Sequence, residues 1–340
     1  MIQISKTSYE LESLAIQHFT TLIDIFSIDK KLDEIISDKK NKAYEKVLFS
    51  KFKFNLKKII TGVPDELVAV NSDLLPYYNA YISKKSYGLK GKHKKSAIQK
   101  ANNKIFHVFD YSMFVRKNSG KYAYQFTEDL QVSVCVYCNR QYTTTIWGDD
   151  GKCRPTLDHF FDKATYPYFA LSFYNLVPSC YTCNSSLKNQ RKFSLEHNLH
   201  PFIESMYDVL DFSVKISSID FVEGKNKDFE ITMKPNRLCV NAKLIEKAQA
   251  NSEIFKLVEL YNSHKDQAAD IIKKMYYYDR SKIDELYNYE TSNGNKLFDS
   301  RTEVLEFTLG NFLNKEKLGS KALSKFTRDI AVELGMDKLL

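Results

Sequence analysis

The chain has 340 residues, of which 43% are hydrophobic and 27% charged, and this composition excludes a mainly disordered protein. Its formal net charge of +8 is a modest basic excess that permits nucleic-acid binding without demonstrating it. No G-x-x-x-x-G-K-[ST] or G-x-G-x-x-G motif occurs, which argues against nucleotide-driven chemistry by this chain alone. No apolar run approaches the roughly 18 residues of a membrane helix, and the first residues lack a signal-peptide pattern. A cytoplasmic protein with no membrane partner is therefore expected.

Residues 1–130 are predicted to form a mainly helical region. Apolar residues recur here at the i, i+3, i+4, i+7 spacing of an amphipathic helix, as at Leu11, Leu14, Ala15, His18 and Leu22. Within this region, residues 84–104 carry eight lysines and no acidic residue. A solvated surface is the favoured interpretation of this lysine-rich segment, and a strip that binds nucleic-acid phosphates is the alternative.

Residues 131–204 form a cysteine-bearing centre, and residues 205–340 are predicted to form a β-hairpin followed by helices. Apolar and polar residues alternate on both sides of "EGKNK", which predicts the hairpin with its turn near Gly224. Helical periodicity returns after residue 241, breaks at "TSNGNK" and resumes in a final helix, "KALSKFTRDIAVEL". The predicted fold class is therefore α+β, with a small mixed centre between two helical regions.

Two C-x-x-C motifs in the centre predict a zinc site. Each motif turns the backbone so that two thiolates face one ion, and two motifs supply the four sulfur ligands of a structural zinc. The predicted ligands are Cys135, Cys138, Cys180 and Cys183. Four thiolates leave no open coordination position, so this zinc is expected to hold the fold rather than to take part in chemistry. Redox-active or coincidental cysteines are the alternative.

An Asp-His pair and two asparagines lie between and beside these motifs. Asp158 and His159 stand in a short predicted strand within "PTLDHFF", Asn175 lies in "YNLVPSC", and Asn184 directly follows the second C-x-x-C. A histidine can accept a proton from water, and a divalent ion held by oxygen ligands can neutralise a phosphate. Because adjacent strand residues point to opposite faces, Asp158 and His159 can share a site only if the strand bends or ends there. A zinc-bound fold in which these residues are incidental is the alternative.

The segments "CVYCN", "LDHFF", "YNLVPSCYTCN" and "SLKNQRK" together resemble the HNH endonucleases, also called ββα-metal or His-Me finger enzymes. The similarity is to the zinc-stabilised branch with paired C-x-x-C motifs and covers about residues 132–200. It implies a ββα-metal core embedded in a mainly helical protein with an additional β-hairpin. It also implies that His159 is the general base and that Asp158 and Asn184 hold one catalytic Mg²⁺ or Mn²⁺. Asn175 would hold the loop around the histidine.

Other polar residues near these motifs are secondary candidates. Lys188, Arg191 and Lys192 follow the second C-x-x-C and are candidate phosphate ligands, although solvated surface charges are an equal alternative. Many relatives have a proline three residues after the histidine, where this chain has Asp162, and we expect Asp162 to fill a turn rather than to join the metal site. His200 is a reserve ligand for metal or phosphate, with a surface position as the favoured interpretation.

The resemblance implies a metal-dependent endonuclease that hydrolyses phosphodiester bonds in DNA, with double-stranded DNA as the expected partner. Proteins of this build often act as effectors of bacterial anti-phage defence. Some of them, as in Septu-like systems, work with an ATPase partner subunit. Two alternatives remain open: an RNA nuclease with the same mechanism, acting for example on tRNA, and a zinc-organised nucleic-acid-binding or assembly subunit without catalysis.

Overall fold

The computed structural model describes residues 1–148, 151–216 and 229–339. The N-terminal region is helical, as predicted, with helices α1 (Ser8–Asp24), α2 (Ile28–Ser37), α3 (Ala43–Phe54), α4 (Leu56–Thr61), α5 (Pro64–Lys85), α6 (Gly91–Val108), α7 (Tyr111–Arg116) and α8 (Lys121–Leu130). Helix α1 begins at a capping box, because the Thr7 side chain accepts a hydrogen bond from the Glu10 amide while the Glu10 carboxylate accepts one from the Thr7 amide. Its buried face consists of Leu11, Ala15, His18 and Leu22.

The cysteine-bearing centre contains two short antiparallel strand pairs. Strand β1 (Ile146–Trp147) pairs with β2 (Lys152–Cys153), and β3 (Thr156–His159) pairs with β4 (Leu176–Ser179). A π-helical turn over Thr182–Lys188 follows β4. The predicted strand in "PTLDHFF" is therefore present, and it ends at His159.

The C-terminal region begins with the predicted hairpin strands, β5 (Leu210–Ile216) and β6 (Phe229–Pro235), which pair antiparallel. The predicted turn near Gly224 lies outside the described residues. The helices that follow are α9 (Ala242–Ile254), α10 (Leu257–Asn262), α11 (Lys265–Tyr277), α12 (Arg280–Tyr287), α13 (Arg301–Leu309) and α14 (Ser324–Glu333). The segment "TSNGNK" falls between α12 and α13, where the sequence predicts a break.

Two clusters of buried apolar side chains organise these elements. The larger one joins the N-terminal helices to the cysteine-bearing centre and includes Phe109, Phe160 and Cys183. The second one joins the β5–β6 hairpin to the C-terminal helices and includes Ile231 and Phe326. The N-terminal helices therefore pack directly on the centre, while the division of the chain at residues 130 and 204 stays a prediction.

The described residues form a helix-rich fold with small antiparallel strand pairs, which agrees with the predicted α+β class. Most of the polar candidates lie in the centre, on or next to β3, β4 and the π-helical turn. No helix in the described ranges is long and apolar enough to cross a membrane.

Candidate metal centre and cleft

The four cysteines of the two C-x-x-C motifs come together in the interior. Their sulfur atoms all lie within 4.8 Å of one another, and all four residues are buried: Cys135, Cys138, Cys180 and Cys183. In a tetrahedral site with Zn–S bonds of about 2.3 Å, neighbouring sulfurs are about 3.8 Å apart. Only a small contraction is needed to reach that geometry, so this cluster could hold a metal ion such as zinc. The remaining two cysteines, Cys153 and Cys239, are outside the cluster.

The electrostatics of the cluster also fit a bound cation. Burial raises the pKa of the Cys135 thiol well above the usual value, whereas hydrogen bonds with Cys135 and the other cluster thiols lower the pKa values of Cys138 and Cys180. A buried thiol keeps its proton unless a positive charge stabilises the thiolate. A metal ion supplies that charge and couples its own binding to folding.

The first C-x-x-C motif is tied to the C-terminal region. The Tyr261 hydroxyl donates to the Cys138 carbonyl at 2.7 Å. Asn139 is in the left-handed region with φ 50°, and its carboxamide oxygen accepts from the Lys325 amide at 3.0 Å. The Asn139 carbonyl accepts from the Leu323 amide at 2.7 Å. The metal cluster thus connects the centre to the beginning of α14.

Several of the predicted catalytic residues line a cleft of about 330 Å³. Asp158, His159 and Asn184 all contribute to its wall. Asp158 and His159 can share the cleft because they are the last two residues of β3, where the strand geometry ends. Their basic neighbours in the wall are Arg154, Lys163 and Lys188.

The His159 ring is held in one orientation. Its Nε2 lies 3.0 Å from the Ala170 carbonyl oxygen, and Tyr111 packs edge-on against it with ring centroids 4.6 Å apart. A carbonyl oxygen only accepts hydrogen bonds, so Nε2 carries the proton and Nδ1 has the free lone pair in the neutral ring. Burial, followed by the charge of Lys163, lowers the pKa of His159 to about 3. The imidazole is therefore neutral at neutral pH, and in the absence of a bound ion or substrate it is a weaker base than a free imidazole.

Asp158 has a partner on each carboxylate oxygen. The Tyr137 hydroxyl donates to Oδ2 at 2.7 Å, and the Lys188 ammonium donates to Oδ1 at 2.9 Å. Lys188 also donates to the His159 carbonyl at 2.7 Å, and its side chain is 2% exposed. Lys188 was predicted as a phosphate ligand, and the structure places it in the cleft wall as the buried ion-pair partner of Asp158.

Asn175 is fully buried and clamps the loop that follows β3. Its Oδ1 accepts from the Phe161 amide at 2.6 Å, and its Nδ2 donates to the carbonyls of Phe161 at 3.1 Å and Phe169 at 2.9 Å. The same loop carries Ala170, whose carbonyl holds His159. This is the arrangement that a loop-holding asparagine requires, although Asn175 itself does not line the cleft.

Asn184 and Asp162 also contribute to the cleft wall. Asn184 is half-buried in the π-helical turn, and its carboxamide makes no hydrogen bond within the ranges that the structure describes. The Asp162 carboxylate accepts from the amides of Ala164 at 3.2 Å and Thr165 at 3.0 Å. Asp162 therefore fills a turn, as expected, while one side of it faces the cleft.

The more distant candidates lie elsewhere. Arg191 and Lys192 are exposed and are absent from the described cleft wall. The expectation of a surface position for His200 is wrong, because this residue is fully buried. The cause is aromatic packing, since the His200 ring lies 4.1 Å from the Phe160 ring and 5.8 Å from the Phe202 ring.

Sequence reasoning missed four residues that shape the site: Tyr111, Tyr137, Arg154 and Lys163. Arg154 and Lys163 lie within five residues of the Asp-His pair, so their proximity in sequence was a usable signal. Tyr111 and Tyr137 reach the site through tertiary packing, which no local sequence pattern predicts.

No protein family, curated protein or solved structure matches this chain. The geometry of the cleft and the residues that line it are therefore the basis for a proposed function.

Proposed function

We propose that this protein is a metal-dependent HNH-type endonuclease that hydrolyses phosphodiester bonds in DNA. The proposal rests on one observation: Asp158, His159 and Asn184, which belong to two different elements, line a single cleft. The order of β3, β4 and the π-helical turn supports a ββα-metal core, in which the four-cysteine cluster holds a structural zinc.

His159 acts as the general base in this proposal. Its ring is neutral, and the Ala170 carbonyl keeps the proton on Nε2, so Nδ1 is the atom that takes a proton from the attacking water. Asn175 acts indirectly, since it holds the loop that carries Ala170. The positive charges of Arg154 and Lys163 in the cleft wall favour binding of a phosphate group.

Asp158 and Asn184 would hold Mg²⁺ or Mn²⁺, because a carboxylate and a carboxamide oxygen are the ligands that hard cations prefer. When bound, the ion would neutralise phosphate charge and stabilise the departing oxygen. Lys188 and Tyr137 each use only one of the two lone pairs on an Asp158 oxygen, so the donor set remains compatible with an ion.

The biological setting that we propose is bacterial anti-phage defence in the cytoplasm, with an ATPase partner that controls the nuclease. The absence of a nucleotide-binding motif in this chain suits an effector that is regulated by another subunit. Double-stranded DNA is the proposed substrate, and RNA cleaved by the same residues is the alternative substrate.

A second function, a zinc-organised nucleic-acid-binding or assembly subunit without catalysis, is favoured by one observation. Both Asp158 oxygens already have protein partners, and one of these is the buried Lys188 ammonium. An Asp–Lys pair of this kind can exist purely to satisfy buried charges. The two functions differ in whether the cleft performs chemistry.

Replacement of His159 distinguishes the nuclease from the non-catalytic subunit. The chain should cleave plasmid or linear duplex DNA with Mg²⁺ or Mn²⁺, and His159→Ala should lower the rate at least about 100-fold because no other group takes the proton. Zinc content should not change, since His159 is not one of the four cluster cysteines, and thermal unfolding checks that the variant remains folded.

The matched control is His197→Ala, because His197 is an exposed histidine outside the cleft wall. This variant should cleave like the unaltered chain. Equal rates for both variants would contradict the catalytic role, and cleavage of RNA alone would support the alternative substrate.

A further inference from the structure

The β1–β2 hairpin carries an exposed aromatic side chain with a cation on its face. Trp147 is 41% exposed and lies directly opposite Lys152 in the strand register. The Lys152 ammonium is 4.5 Å from the centre of the Trp147 ring. Tyr124 packs edge-on against the same ring, with centroids 4.5 Å apart.

This aromatic group is connected to the cleft by a single residue. The Arg154 guanidinium lies over the Tyr124 ring at 5.6 Å from its centre. Arg154 is also part of the wall that contains Asp158 and His159. Two adjacent rings, Trp147 and Tyr124, with a positive charge on each side therefore lead to the cleft that contains the candidate catalytic residues.

This arrangement of rings and charges has the chemistry of a surface that binds unpaired nucleotides. Each nucleobase has a flat apolar face that stacks on an exposed aromatic ring, and nearby lysine and arginine side chains neutralise the backbone phosphates. Bases inside a duplex are already stacked on each other and cannot reach such a ring.

We propose that Trp147, Tyr124 and Lys152 bind an unpaired nucleotide segment, and that Arg154 guides the adjoining phosphate into the cleft. The second half of this statement rests on the proposed nuclease function. A duplex with a single-stranded extension beside the cutting position is then a better substrate than a blunt duplex. Asp149 and Asp150, which lie between the two strands in the sequence, are outside the described residues, and the proposal uses neither.

Fluorescence tests this surface directly, because Trp147 is the only tryptophan in the chain. The full-length His159→Ala protein, without added divalent metal, is titrated with oligo(dT), with an abasic strand of equal length and with a blunt duplex. Oligo(dT) should change the tryptophan emission in a saturable way and bind roughly tenfold more tightly than the abasic strand, because only oligo(dT) has bases to stack. Equal affinity for the two strands, or an unchanged emission, would overturn the proposal.

Variants provide a second measurement by anisotropy of a labelled oligo(dT). Trp147→Ala should weaken binding roughly tenfold, and Trp147→Phe should retain most of it, because phenylalanine still offers a stacking face. Tyr276→Ala is the matched control, since Tyr276 is another exposed aromatic residue, on α11. Equal weakening by Trp147→Ala and Tyr276→Ala would count against the surface.

The test also separates this surface from the proposed nuclease function. If the protein binds oligo(dT) selectively but cleaves no nucleic acid, the nucleotide-binding surface would be supported and the nuclease function would be refuted. If the protein cleaves DNA but its tryptophan emission does not change with any strand, the nuclease function would be supported and the nucleotide-binding surface would be refuted.

Discussion

Asp158 and Lys188 form a buried ion pair at the centre of the candidate site, with side chains 4% and 2% exposed. Both charges have lost their water, and their mutual attraction and hydrogen bonds offset that loss. Removing one partner of such a pair leaves an uncompensated charge in the interior. The free energy of unfolding of a variant that lacks one partner can therefore report whether a metal ion binds at Asp158.

Lys188→Met should lower the free energy of unfolding by about 3 kcal/mol in the absence of divalent metal, because Asp158 then remains buried without its cation. Added Mn²⁺ should restore part of this loss, since an ion at Asp158 replaces the missing positive charge. The measurement is chemical unfolding with and without Mn²⁺.

Lys192→Met is the control, because Lys192 is exposed and outside the described cleft wall. It should unfold like the unaltered chain under both conditions. A Lys188→Met protein that Mn²⁺ stabilises no more than this control would argue against metal binding at Asp158.

His18 makes stability depend on pH. Its Nε2 lies 2.9 Å from the Leu171 carbonyl oxygen, and burial lowers the pKa of the ring to about 4. The unfolded chain, with an ordinary pKa of about 6.5, binds more protons than the folded chain between these two values. Stability is therefore full above pH 6.5 and falls as the pH decreases towards 4.

His18→Gln should make this decrease shallower between pH 6.5 and 5, measured by urea unfolding at several pH values. Part of the decrease should remain, because burial also lowers the pKa values of His159 and His200 to about 3. Zinc content must be followed in parallel, because protonation of the cysteines also releases metal. His93→Gln, which alters an exposed histidine on α6, should keep the full pH dependence. An identical pH dependence in all three proteins would show that His18 contributes nothing to it.

At the scale of elements, the metal cluster connects two segments of the centre that are far apart in the sequence. The first C-x-x-C lies before β1. In the second, Cys180 directly follows β4 and Cys183 lies within the π-helical turn. Through Tyr261 and Asn139, the first motif also contacts α10 and the beginning of α14. Loss of the ion should therefore affect several elements together.

Cys180→Ser should reduce the zinc content below the expected one ion per chain and lower stability. If the roughly 10 kcal/mol of a structural zinc is shared by four ligands, the loss is about 3 kcal/mol. Metal analysis and thermal unfolding measure the two effects. Cys153→Ser, at an exposed cysteine outside the cluster, should change neither, and a folded preparation that never contained zinc would refute the site.

At the scale of the whole molecule, the eight lysines of the lysine-rich segment differ in their surroundings. Lys85 and Lys104 lie within 3.1 Å and 2.6 Å of a carboxylate oxygen of the buried Glu45, so their charge is used within the fold. A second group, at the beginning of α6, is exposed and available to a partner: Lys90, Lys92, Lys94 and Lys95.

Neutralising these four exposed lysines to glutamine should weaken DNA binding similarly for all sequences. Each phosphate contact contributes about 0.9 to the magnitude of the slope of log affinity against log salt concentration. Loss of up to four contacts should therefore reduce the magnitude of this slope by up to about 3.6. Binding to a labelled duplex at several salt concentrations measures it.

A matched control neutralises four exposed lysines elsewhere in the N-terminal region: Lys39, Lys40, Lys57 and Lys58. Both variants lose the same net charge, so only a local contact can separate them. Equal salt slopes for the two variants would assign the lysine-rich segment to the solvated surface.

The amino-acid sequence by itself determined the features that depend on short spacing. Two C-x-x-C motifs predict a metal cluster, the alternation around "EGKNK" predicts β5 and β6, and the helical periodicity of residues 1–130 predicts α1. These features follow from backbone geometry over a few residues, so local patterns suffice to predict them. The order of Asp158, His159 and Asn184 was also visible, although it did not show that they share a cleft.

Only the tertiary structure decided which charged and aromatic side chains are buried together. Lys188 could equally have been a surface lysine, and it became a buried partner because the fold places its ammonium 2.9 Å from Asp158. His200 became a core residue because Phe160 and Phe202 pack against its ring. A buried charge such as that of Lys188 is stable only when a partner from a distant part of the chain compensates for its lost hydration, and the local sequence does not identify that partner.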